Sequence, residues 1–134
     1  MRGSCLCQSI QYEVIQLDSV VEHCSCHTCR KAHAAVFNTA AAVMPNHFSW
    51  IKGEVLLKSF ESSPGKMRYF CSNCGTHLVA KKEENPFYIL RVATLDDDPG
   101  QLVTQHIWTS HEVAWLNYGN GIKRYPAWEP GHDT

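Results

Sequence analysis

The stretch FCSNCGT, Phe70–Thr76, decides how the rest of the chain is read. It sets two thiols at C-x-x-C spacing with Gly75 directly after the second. That is the pattern of a zinc knuckle, in which a tight turn lets backbone N–H groups point at sulfur. A knuckle supplies only half of a tetrahedral site and requires a second thiol pair. HCSCHTCRK, His23–Lys31, holds Cys24, Cys26 and Cys29, and GSCLCQS, Gly3–Ser9, holds Cys5 and Cys7. Pairing the knuckle with Cys26 and Cys29 would orphan three thiols. Pairing it with Cys5 and Cys7 closes a four-thiolate site and leaves Cys24, Cys26 and Cys29 as a separate trio. The second partition uses all seven cysteines and is preferred on that arithmetic. Burial as plain apolar side chains explains one isolated cysteine well, but not two pairs and a trio at ligand spacing.

The 134 residues fit one zinc-binding domain, 1–134, in which residues 120–134 read as a less ordered tail. Twelve Lys and Arg oppose thirteen Asp and Glu, and no run of like charge stands out, the longest candidates being KKEEN and LDDDP, which argues against nucleic acid as a partner. No segment approaches the ~20 apolar residues of a membrane span. The sequence MRGSCLCQSIQYEV lacks an apolar export signal, so the cytoplasm is the expected compartment, where thiols stay reduced. A disulfide within either C-x-C pair would also close a very small strained ring. Reduced, clustered thiols read as metal ligands. The sequence leaves the oligomeric state open.

The pattern is mostly β. Ser9–Ile15 alternates Ile10, Tyr12 and Val14 against Gln11 and Glu13, the period of a half-buried strand. His47–Lys52 repeats this with Phe48 and Trp50 and stops at Gly53. Glu54–Glu61 and Met67–Phe70 flank the turn formers Ser62, Ser63, Pro64 and Gly65. His77–Ala80, Pro86–Val92 and His106–Thr109 complete the expected strands, with Pro86–Val92 apolar enough for burial on both faces. Ala34–Met44 is ambiguous: its alanines favour helix and its Val, Phe and Thr favour strand. Many short strands between turn signals predict an all-β, or β-rich, domain.

The trio suggests a chemistry of its own. Three thiolates on Zn²⁺ leave a complex of charge −1, a weak Lewis acid ill suited to making hydroxide at neutral pH. Such a centre can instead hold an incoming thiol as its thiolate. Delivery of a nucleophilic sulfur to an electrophilic carbon follows, with an aldehyde as a natural target.

The segments GSCLCQSIQY, HCSCHTCRK, RYFCSNCGTHL, VATLDDDP and QHIW, in this order, resemble the glutathione-dependent formaldehyde-activating enzyme and centromere protein V family. The resemblance implies a β-tent fold of short antiparallel sheets held at one end by structural zinc. It implies that Cys5, Cys7, Cys71 and Cys74 hold that structural Zn²⁺, and that Cys24, Cys26 and Cys29 form a second, catalytic zinc site. The family commonly has Gly after the first C-x-C, where this chain has Gln8. A positive φ there would cost glutamine about 1 kcal/mol or more.

Arg30 and Lys31 could meet the carboxylate of an anionic thiol, or form a solvated basic pair. His23, His27 and His33 flank the trio and are weaker ligand candidates, since three thiolates and an exogenous ligand already fill the sphere. His77 reads as a core or supporting residue, and Asp96, Asp97 and Asp98 as a turn before Pro99-Gly100. Trp50, Trp108 and Trp115 read as core aromatics, and Trp128 as part of the tail. The expected activity is a zinc-dependent carbon–sulfur lyase-type reaction, S-(hydroxymethyl)glutathione synthase-like. It would reversibly join a small thiol such as glutathione to an aldehyde such as formaldehyde. The rival is a non-catalytic zinc-stabilised binding module with a redox-sensitive or vestigial trio.

Overall fold

A computed structural model describes residues 1–131; the last three residues of the expected tail, 132–134, lie outside the described residues. The protein is all-β, as expected, with two sheets and one short helix. The smaller sheet has the order β1 (Arg2–Ser4), β2 (Gln11–Val14), β5 (Phe48–Lys52). The larger has the order β10 (Gln105–Ile107), β3 (Glu22–Cys24), β4 (Asn38–Val43), β9 (Tyr88–Arg91), β8 (His77–Lys82), β7 (Lys66–Cys71), β6 (Leu57–Ser63). All pairs are antiparallel except β10 against β3, which run parallel. That pair departs from the expected antiparallel sheets, because the chain returns to the edge of β3 only after crossing the whole sheet.

Period-2 patterning builds the core. Ile10, Tyr12 and Val14 are completely buried, and each contributes roughly 1.5–3 kcal/mol of burial. They meet Val43, Val79 and Leu90 from one face of the large sheet. Tyr12 stacks on Phe48 at 5.2 Å, and Trp50 packs edge-on to Phe48 at 4.7 Å. Gly3 is required opposite this ring: a Cβ there would lie 2.1 Å from the Tyr12 ring.

The ambiguous segment resolves into a strand. Its first residue, Ala34, ends helix α1 (His27–His33) in a left-handed conformation, and Asn38–Val43 becomes β4, inside the large sheet. Ala40 and Ala41 are both buried although they point to opposite faces. The small side chains fit because β4 is covered on both sides, by the smaller sheet and by α1. Tertiary packing therefore overrides the alanines' helix propensity.

The expected Glu54–Glu61 strand begins later, at Leu57, after a 3-10 turn over Glu54–Leu56. Two tryptophans correct the expectation of core aromatics. Trp108 and Trp115 are 54% and 73% exposed. Trp108 takes φ 58, which ends β10 at Ile107 and swings the ring out against His111. Trp115 follows, where the chain has left the sheets, and no regular strand or helix follows His111 among the described residues.

Candidate metal centres

The two thiol groups form separately. Cys5, Cys7, Cys71 and Cys74 converge with their sulfurs mutually within 4.8 Å, and so do Cys24, Cys26 and Cys29. The preferred partition is the one the fold assembles.

The four-cysteine group joins the β1–β2 connection to the β7–β8 turn. Around Cys71, Gly75 N–H donates to the Cys71 carbonyl (2.8 Å), and Gly75 has φ 81, the left-handed turn that only glycine takes without strain. Asn73 N–H then reaches Cys71 Sγ at 3.4 Å. The opposite strand repeats the arrangement. Gln8 N–H donates to the Cys5 carbonyl (3.0 Å), and Ile10 N–H reaches Cys5 Sγ at 3.3 Å. Gln8 has φ 63, so the position does take the strained conformation expected of it. Neighbouring sulfurs lie 3.6 Å apart for Cys5 and Cys7 and 3.9 Å for Cys7 and Cys71. A tetrahedron of thiolates on zinc has edges of about 3.8 Å, given a bond of about 2.3 Å. The donor set fits a four-coordinate zinc ion.

The trio sits on the other face of the large sheet. Cys24 ends β3, Cys26 caps α1 by accepting from Cys29 N–H (3.2 Å), and Cys29 is the one buried residue of the helix. No His, Asp or Glu joins this group among the described residues. His23 instead bonds Thr39 through Nδ1 (2.7 Å), and His27 is met only through its backbone N–H, which donates to His111 Nδ1 (3.3 Å). His33 lies beyond the sulfurs and faces Arg68.

Sequence reasoning missed what surrounds the trio. Arg68, on β7, is 1% exposed and donates to Cys29 Sγ (3.6 Å), Ser62 Oγ (2.8 Å) and toward His33 Nε2 (3.4 Å). Arg91, on β9, is 4% exposed. Strand pairing puts both on the α1 side: Arg68 opposes Ala80, Ala80 opposes Ile89, and Arg91 lies two residues beyond on the same strand. An arginine inside the apolar run Phe87–Val92 was the available signal, because a charge in a strand covered on both faces needs a partner.

These charges shape ionisation. Burial pushes the Cys24 thiol up to about 12. Burial also opposes ionisation of Cys29, but hydrogen bonds from Cys26 and Arg68 and the Arg68 charge bring its pKa below the ordinary thiol value. Burial, then the charges of Arg91, His77, Arg68 and Lys66, hold His33 down to about 3, so its imidazole is neutral and can accept from Arg68. In the other group burial again opposes, yet hydrogen bonds from Thr76 and the Cys7 backbone lower Cys74 to about 5.

A pocket of about 440 Å³ opens beside Arg68, between α1 and strands β6 and β7. Thr28, Lys31, Phe60, Ser62, Phe70 and His77 help to line it. Of the expected basic pair, Lys31 reaches this pocket and Arg30 does not. The three aspartates are structural, as expected. Asp96 accepts from Ser4 Oγ, Asp97 from Arg2 N–H and Asp98 from Gly100 N–H.

Residues 1–111 match the family described as "Glutathione-dependent formaldehyde-activating enzyme". A Podospora anserina protein provisionally named after that activity is 33% identical over 87 residues, covering 63% of this chain and 41% of that protein. An uncharacterised lyase of Schizosaccharomyces pombe is 32% identical over 89 residues, 65% of this chain and 63% of that one. The chain thus aligns with between two fifths and two thirds of the length of these relatives. A solved Rhodobacter sphaeroides protein shares the fold, with TM-score 0.64 and 23% identity over 79% of this chain and 99% of its own.

Proposed function

Since the chain belongs to the glutathione-dependent formaldehyde-activating enzyme family, we propose that it is a carbon–sulfur lyase-type enzyme that reversibly joins a small thiol, such as glutathione, to an aldehyde such as formaldehyde. Cys5, Cys7, Cys71 and Cys74 would hold a structural zinc ion, and Cys24, Cys26 and Cys29 a second one at the reacting centre. Bound there, zinc would supply a soft Lewis acid that keeps a thiol ionised at neutral pH. In the net reaction the S–H bond breaks, sulfur bonds to the carbonyl carbon, the C=O π bond breaks, and the proton ends on oxygen.

The observation that carries this reading is the trio itself, three convergent sulfurs with no fourth protein ligand in the group among the described residues. It lies behind Arg68, at the wall of an open pocket. The chain's own residues have clear tasks there. Cys29 and Arg68 form a charge-assisted contact that fixes one sulfur. Phe60 and Phe70 give the pocket an apolar wall for the body of the thiol, and Lys31 offers a cation to its carboxylate. Neutral His33 holds Arg68 in place without competing for the ligand's charge. All seven thiols are free, consistent with work in the reducing cytoplasm.

The test is thiol-plus-aldehyde turnover by the zinc-loaded protein, measured against the spontaneous reaction. Glutathione and 2-mercaptoethanol are compared as thiols, and Cys26→Ser serves as control. Rate above background that Cys26→Ser abolishes supports the enzyme. Background rate with every thiol, despite full zinc occupancy, returns the protein to the binding-module reading.

A further inference from the structure

Two arginines buried without a carboxylate need an explanation. Ion pairs among the described residues are Arg2–Glu13 and Asp18–His47, and neither involves Arg68 or Arg91. Arg68 satisfies its donors on Ser62, His33 and Cys29. Arg91 does not, and its Nε and Nη2 are buried without an acceptor among the described residues. Donors left idle in this way are costly, and a native fold keeps them where something will arrive.

The direction from which it arrives is set by the sheet. Arg91 opposes Ala40 on β4, and Asn38, two residues along the same strand, opposes Cys24. Alternation places all of these on the α1 side. All three trio sulfurs lie within electrostatic range of the Arg91 guanidinium.

Charge decides what fits. Three thiolates around a divalent ion carry one negative charge, and the two guanidiniums overbalance it by one. A neutral fourth ligand leaves that surplus buried, whereas a monoanion cancels it. Lys66 near Cys29, and Arg30 next to Cys29 in the chain, add further charges, but both residues are only half-buried. The Arg30 Nε is itself buried without a partner among the described residues. Resting on the thiol-binding reading for its natural ligand, we propose that Arg91 is the anion-positioning residue of the three-cysteine centre. Its idle N–H groups receive a monoanionic fourth ligand, the thiolate of the incoming thiol, and select against neutral donors.

The experiment uses the full chain loaded with cobalt, whose absorption bands report each new ligand. Wild type, Arg91→Gln and Arg91→Lys are titrated with 2-mercaptoethanol, azide and imidazole, after circular dichroism has confirmed folding. Arg91→Gln should weaken mercaptoethanol and azide at least tenfold and leave imidazole and cobalt stoichiometry unchanged, and Arg91→Lys should recover part of the loss. Equal mercaptoethanol binding by wild type and Arg91→Gln, or an equal loss of imidazole, overturns the inference alone. Wild type that takes azide but no thiol overturns the proposed function and the thiolate as natural ligand, and leaves Arg91 standing as the anion-positioning residue. Wild type that takes neither anion overturns both. If Arg91→Gln does not fold, wild type decides: imidazole binding as tightly as azide overturns the inference.

Discussion

Replacing Arg68 with methionine should act in opposite directions when the three-cysteine centre is empty and when it is loaded, the four-cysteine site being filled in both cases. With the trio empty the guanidinium is buried at 1% exposure, with the Ser62 hydroxyl, the neutral His33 imidazole and the Cys29 sulfur as partners and no carboxylate. Burying a charge so placed costs several kcal/mol, and an apolar side chain of similar length is often neutral or stabilising instead. With metal the partner becomes a thiolate. At 3.6 Å and an effective dielectric constant of ~20, a full charge pair is worth about 4–5 kcal/mol. Donation from sulfur to metal spreads the charge, and halving the figure leaves about 2–3 kcal/mol, or roughly 30- to 150-fold in metal affinity. Arg68→Met should therefore melt no earlier than wild type when only the four-cysteine site is loaded, yet yield the trio's metal to a chelator at a concentration lower by that factor. The four-cysteine site serves as internal control. An equal drop in melting temperature with the trio loaded and with it empty would show that the arginine is a structural strut, and the charge argument would fail.

Other outcomes follow from the same structure. Cys71→Ser should abolish folding at ordinary zinc concentrations, whereas Cys24→Ser should remove one metal equivalent and leave the dichroism spectrum intact; metal analysis beside circular dichroism separates the two. Gln8→Gly relieves a φ of 63 and should stabilise the loaded protein by about 0.5–1 kcal/mol in urea, after glycine's extra unfolded freedom is deducted. Asp18 accepts from Met44 N–H (2.7 Å) and bonds His47 (2.9 Å), which hold its carboxyl at about 2 against ~3.9 unfolded. A depressed carboxylate stabilises above its unfolded pKa and loses that contribution as pH falls toward 2. Asp18→Asn should thus cost about 1–3 kcal/mol at pH 7 and nothing near pH 2, measured by denaturant midpoints across pH.

Much of this was legible in the sequence because cysteine spacing and strand alternation are local signals. Ile10, Tyr12 and Val14 announced β2, and the knuckle with its glycine announced its need for a second pair. Helix α1 gave no such signal. Its seven residues bury only Cys29, so HTCRKAH has no apolar stripe, and the helix is held by the Cys26 cap and the Ala34 turn. Strands β1 and β3, three residues each, are too short for a period to show. Arg91 was signalled only by its place in an apolar run, and Arg68 not at all, since its burial depends on which strands are neighbours. Trp108 and Trp115 misled because aromatic rings are judged by average burial, and the chain had already left the sheets.

The four-cysteine group also imposes an order of events on the nascent chain. Five thiols, from Cys5 to Cys29, leave the ribosome some forty residues before Cys71 and Cys74. Zinc met in that interval would find Cys5 and Cys7 and the trio but no knuckle, and a complex drawn from these five thiols would join residues that the native fold separates into two groups. Native ligation requires that complex to exchange, with the β7–β8 hairpin as the incoming group. Folding speed should therefore depend on free zinc in the opposite sense to final stability, with excess metal slowing the approach to the state it ultimately holds.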